Sequence, residues 1–236
     1  MTHRVFSALF AFLTAAAAWG GTVCTTGTLA SYEALGSGGC TIGGVTMASF
    51  GGVPGTAGAT EIDPTTVTVT PSGGTANPEL TFSVNLTVST PPLEEVIFTY
   101  TVSGPSFTMD TITLSNSAET GNGAVTDIQN YCFGGLFGPD GINGCTQVNG
   151  SLLTLDGIQN NDNTPISGAT LLAITDDFTI DPGPPSPPPQ GTASGGTFSD
   201  QFNAITSTPE PGAFLLTFSG LAFAAVRKLR ASHRSF

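Results

Sequence analysis

Leu80-Thr81-Phe82-Ser83-Val84-Asn85-Leu86-Thr87-Val88 alternates apolar and polar residues without a break. Successive side chains of an extended chain point to opposite faces, so this stretch predicts a strand with one face in a core and one in water. The pattern continues on both sides. Val96, Phe98, Tyr100 and Val102 repeat it after the Pro91-Pro92 turn, Val67 and Val69 alternate with Thr66, Thr68 and Thr70, and Ile112 is matched by Leu114. Clusters of Gly, Pro, Asn and Asp, as at 71–78 and 121–123, punctuate these runs as turns between short strands require. Further strands are expected over 124–133, 151–155, 169–180 and 197–205, and only 28–34 reads as helix. About eight or nine antiparallel strands with Thr and Ser on the solvated face predict an all-β fold, a jelly-roll-like antiparallel β-sandwich. No internal repeat supports a solenoid or propeller.

Charge narrows the function classes further. The 236 residues carry 17 acids and 5 bases, a net charge of −12. Arg4, Arg227, Lys228, Arg230 and Arg234, with His3 and His233, all lie near the ends, so residues 5–226 hold no Lys, Arg or His. That stretch therefore offers no imidazole base, no Schiff-base lysine and no arginine clamp. Nucleic acid is excluded as a partner, because its recognition depends on Lys and Arg at phosphates.

The two ends read as addresses. Arg4 followed by the apolar run 5–18 and the small residues Ala15 to Ala18 predicts a signal peptide over 1–20. A β-sandwich domain is expected over 21–207. Residues 208–236 run in the reverse order: Pro209-Glu210-Pro211, an apolar stretch from Ala213 to Val226, then the basic cluster Arg227, Lys228 and Arg230. As a helix those 14 residues reach about 21 Å, short of a bilayer core of about 30 Å. Basic residues beyond them hold that end on the cytoplasmic side, so a single membrane helix is expected here. The Pro-rich segment 181–190 is either the start of a stalk or a loop. A loop is favoured, because Phe198, Phe202 and Ile205 still need burial.

Pro209-Glu210-Pro211, the apolar helix containing Gly220 and the basic end together resemble the PEP-CTERM sorting signal of Gram-negative bacteria. The resemblance implies handling by exosortase at the inner membrane, followed by delivery to the cell surface or extracellular matrix. Cys24, Thr28-Leu29-Ala30-Ser31-Tyr32 and Leu35 to Gly43 also look like the start of a group of exported PEP-CTERM proteins with a β-rich domain.

Four cysteines allow three connectivities. An exported chain meets an oxidising compartment, and local spacing favours Cys24 with Cys40 and Cys132 with Cys145. No C-x-x-C spacing and no nearby His suggest a metal site at these thiols.

Chemistry-bearing constellations are few. Glu94-Glu95 and Asp176-Asp177 are adjacent acid pairs, but neighbours on a strand face opposite ways and make poor glycosidase pairs. The oxygen-rich stretches 156–163 and 138–141 match no calcium-loop pattern and are explained by turn chemistry. No cofactor is expected, although Ca²⁺ is the ion such loops would suit. Tyr32, Tyr100 and Tyr131 are the tyrosines available for stacking on a sugar. No catalytic residue is assigned. The expected function is an exported surface or matrix protein of structural or interaction type, with extracellular polysaccharide as a possible partner. The alternative is a carbohydrate-binding module or a weak carboxylate-based hydrolase.

Overall fold

A computed structural model describes residues 21–184 and 191–205. The expected signal peptide 1–20, residues 185–190 of the Pro-rich segment and the whole sorting tail lie outside the described residues. In chain order the elements are β1 (Gly27–Thr28), the helix α1 (Leu29–Glu33), β2 (Cys40–Ile42), β3 (Val45–Val53), β4 (Thr60–Glu61) and β5 (Thr68–Ser72). Then come β6 (Glu79–Ser83), β7 (Thr87–Val88), β8 (Glu94–Ser103), β9 (Phe107–Ser115) and β10 (Ala118–Thr120). The remainder are β11 (Ala124–Phe133), β12 (Val148–Leu155), β13 (Asn161–Pro165), β14 (Leu171–Asp181), β15 (Thr192–Ser194) and β16 (Thr197–Ala204).

Six strands form one sheet in the order β1-β5-β6-β16-β9-β13. The facing sheet runs β12-β11-β14-β8-β3-β2, with β4 added parallel to β8 at residues 94 and 95, past the end of β3. Strands β10-β15-β7 make a third, small sheet, whose Ala193 and Val88 join the same core. All other strand pairs are antiparallel, giving a sandwich.

Between the two large sheets lies an aromatic layer. Phe82 and Phe198 of the six-stranded sheet stack on each other at 4.9 Å and meet Phe98 and Phe178 of the seven-stranded sheet at ring-centroid distances of 4.8 and 4.7 Å. Burying such rings supplies most of the driving force for folding, and each favourable pair adds about 0.5–1.5 kcal/mol beyond area. The short α1 starts where Thr28 Oγ1 accepts from the Ser31 amide at 3.2 Å, and it buries Leu29 and Tyr32.

The count of eight or nine strands is corrected to sixteen among the described residues. Of the extra strands, β3 is nine residues long, but a bulge between Ala48 and Gly51 breaks its alternation. The others are two to five residues long, too short to show alternation. Leu80 to Val88 is itself two strands. The chain leaves the six-stranded sheet after Ser83 and enters the small sheet at Thr87. Between them the Val84 amide donates to Gly196 O and Leu86 O accepts from the Gly195 amide. Asn161–Pro165 is an edge strand rather than loop. The Pro-rich segment follows β14 and precedes β15 and β16, both of which belong to the sandwich.

Candidate functional site

Four strands each carry one carboxylate in a position that alternation would give to an apolar residue. On β14, Asp176 sits in phase with Leu172, Ile174, Phe178 and Ile180, and on β16 Asp200 sits between Phe198 and Phe202. On β11 Asp127 and Gln129 follow Val125, and on β9 Asp110 precedes Ile112 and Leu114. Asp110, Asp127, Gln129, Asp176 and Asp200 are all 0% exposed.

Strand register then brings them together. Gln129 lies directly opposite Asp176, and Asp127 opposite Thr154 of β12. Asp200 approaches from the facing sheet, flanked by Leu80 and Ile112. Carboxylate oxygens of Asp127, Asp176 and Asp200 all lie within 4.8 Å of one another. Tyr100 of β8 donates its hydroxyl to Asp200 Oδ2. Both oxygens of Asp110, Asp127 and Asp176, with Asp200 Oδ1, both amide atoms of Gln129 and Thr154 Oγ1, complete no hydrogen bond.

Burial, followed by mutual repulsion, raises the Asp110, Asp127 and Asp176 carboxyls well above the ordinary carboxylate range. Asp200 is pushed up to about 6 by burial, against the stabilising influence of Tyr100, Asp176 and Gln129. Burial and the neighbouring carboxylates raise the Tyr100 phenol as well. An ionised carboxylate in a dry interior is very costly unless paired. The chain has no Lys, Arg or His between residues 5 and 226 to pair with these acids. Protonation or a bound cation are the two ways to remove that charge.

Although the acids converge, they face no cleft. A glycosidase works with two carboxylates across a cleft that admits the sugar, and these groups are sealed between sheets. The adjacent pairs divide as strand geometry requires. Asp176 points inward, while Asp177 turns to the outer face, half-buried, where burial and then Glu95 push its carboxyl up to about 6. Glu95 accepts from the Thr56 amide at 2.5 Å and from Thr56 Oγ1 at 2.8 Å, and its neighbour Glu94 is half-buried.

The cysteines form Cys24–Cys40 and Cys132–Cys145, with Cα separations of 4.8 and 5.8 Å. In the oxygen-rich stretches Asp140 is engaged by its own turn, whereas Asp162 lies on the edge strand β13 and bonds across to β12. Asp140 Oδ1 accepts from the Ile142 and Asn143 amides, and Asp162 Oδ2 accepts from the Leu153 amide at 3.0 Å. Tyr32 is buried with its hydroxyl on Thr25 O, Tyr100 belongs to the core, and Tyr131 is half-buried and stacks on Phe133 at 4.2 Å. An open groove of about 270 Å³ lies where Leu136, Phe137 and Pro139 cover the outer face of β3 and β8. Pro209, Glu210, Pro211, Arg227, Lys228 and Arg230 lie outside the described residues. Among the described residues no helix is long and apolar enough to cross a membrane.

The buried cluster escaped the sequence reading, yet its signal was present. An acid at the core phase of an alternating run, as in Phe198-x-Asp200-x-Phe202 or Ile174-x-Asp176-x-Phe178, marks a carboxylate that must be buried.

No family model matches the chain, and no curated protein is similar to it in sequence. Among solved structures, it is similar to the carbohydrate-binding module TmCBM61 in complex with β-1,4-galactotriose, at 13% identity. The match covers 65% of this chain and 84% of that one, with a TM-score of 0.27. A likeness of that size carries no argument about fold or ligand.

Proposed function

We propose that the chain is an exported, non-enzymatic protein of the cell surface or extracellular matrix, delivered by a PEP-CTERM-type tail and handled by exosortase. The observation that carries this reading is the order of three elements at 209–230: Pro209-Glu210-Pro211, an apolar run and a basic cluster. Two disulfides suit an oxidising compartment outside the cytoplasm. The passage of the chain from β14 through β15 to β16, in the middle of the opposite sheet, supports a jelly-roll-like reading of the sandwich. Fractionating a host with and without its exosortase tests the proposal. Loss of exosortase is expected to shift the protein from the surface fraction to the inner membrane. An unchanged distribution would overturn it.

A second reading, polysaccharide binding, has one observation in its favour. Thr81, Thr111, Thr113, Ser115, Thr197 and Ser199 line a shallow groove on the outer face of the six-stranded sheet. Such rows of hydroxyls can donate to and accept from sugar hydroxyls. Retardation in gels cast with host matrix polysaccharide, lost on replacing Thr111 and Thr113 by Val, is the outcome this reading expects.

A further inference from the structure

We propose that Asp127, Asp176 and Asp200, assisted by the Gln129 carbonyl, hold one Ca²⁺ ion between the two large sheets. This inference stands apart from the sorting reading and uses none of the tail residues. Three carboxylates from three strands converge to within 4.8 Å, with Asp127 and Asp176 on one sheet and Asp200 on the other. Convergence of acids alone would carry little, but two further side chains point to a ligand. Gln129 is wholly buried opposite Asp176, near enough to Asp200 to act on its carboxyl, yet neither amide atom completes a hydrogen bond. The Thr154 hydroxyl, equally buried opposite Asp127, is also unpartnered. Buried polar groups in folded proteins are almost always satisfied, so several orphaned oxygens around one point indicate a common partner.

The donor chemistry selects the ion. Every available atom is a hard oxygen, with no imidazole or thiolate, which disfavours zinc and copper. Mg²⁺ demands near-ideal octahedral geometry and keeps several waters, whereas Ca²⁺ accepts six to eight oxygens in irregular arrangements. A dry site built from strands fits the second description. Tyr100 donates to Asp200 Oδ2 and leaves Oδ1 free, the arrangement in which an outer hydrogen bond orients a ligand. Asp110, wholly buried on β9, adds negative potential nearby. An ion held this way ties β11 and β14 to β16, linking the sheets where the core is least apolar.

The purified full-length chain is the material for the test. Elemental analysis after exhaustive gel filtration in calcium-free buffer is expected to find about one calcium per chain, because a buried site forms with the fold and releases slowly. EDTA is expected to lower the melting temperature by about 10 °C relative to excess CaCl₂, the scale for a ligand at about a thousand times its Kd on a domain of this size. Asp176→Asn and Asp127→Asn should each reduce bound calcium more than tenfold and abolish the response to EDTA, while Asp140→Asn in its outer turn and Asp162→Asn on the edge strand β13 leave both unchanged. Tb³⁺ added to EDTA-treated protein should give emission sensitised by Tyr100, and Tyr100→Phe should remove it. The rival arrangement is a set of protonated acids sharing hydrogen bonds. It predicts no retained calcium and identical melting in EDTA and CaCl₂, and that wild-type result overturns the proposal even if the variants fail to fold. Calcium retained by both interior variants, or lost from the Asp140 and Asp162 variants instead, overturns it equally.

Discussion

Phe198 shows what one residue contributes to the sandwich. It stacks on Phe82 of its own sheet at 4.9 Å and on Phe178 of the opposite sheet at 4.7 Å, so its ring bridges the two layers. Phe198→Ala would leave a cavity that rigid strands close poorly, and an expected loss of about 3–5 kcal/mol should appear as a lower urea midpoint with an unchanged slope. Asp140 illustrates the opposite, exposed case. Hydrogen bonds from the Asn143 side chain and backbone and from the Ile142 backbone hold its carboxyl below the usual range. A folded value below the unfolded one means the contribution is present above the unfolded pKa of about 3.9 and is lost as pH falls through the folded value. A carboxyl NMR titration should place the Asp140 midpoint below that of an unstructured aspartate, and Asn143→Ala should move it back up. Sequence alone showed that Asp140 belonged to a turn. It could not show that Asp200 lay beside Asp176, because 24 residues and two sheets separate them along the chain.

Among the elements, the stretch after β11 depends most on its covalent link. Cys132–Cys145 closes it, and Thr175 Oγ1 of β14 donates to Gly141 O to hold it against the outer face. Replacing both cysteines by Ser should cost about 3 kcal/mol by the chain-entropy argument. Limited proteolysis should then cut between 134 and 144 much faster than in the parent, with a lower melting temperature. Long strands such as β8 and β14 were readable because one face is continuously apolar. Shorter ones were not. Cys40–Ile42, Thr60–Glu61 and Asn161–Pro165 are strands because a neighbour offers free backbone groups, a property of position rather than of their own residues.

At the scale of the molecule, the last described strand is central rather than peripheral. β16 lies between β6 and β9, so the sandwich closes only when residues 197–204 are in place. Deleting 209–236 should therefore leave the melting curve of the domain unchanged, while deleting everything from Thr197 onward should abolish the cooperative transition. Circular dichroism on the two truncations decides it, and a destabilised first truncation would sink the separation of tail from domain. What the sequence determined by itself were the properties that depend on local order or on composition. These are the all-β class, the absence of basic chemistry from residues 5–226 and the favoured pairing of near cysteines. Tertiary structure alone decided how the strands divide among three sheets, the break at 84–86, and the meeting of three acids in the core. The physical reason is that strand alternation records which face a residue occupies. It does not record which other strands share that face, and the buried carboxylates become a site only when two sheets close over them.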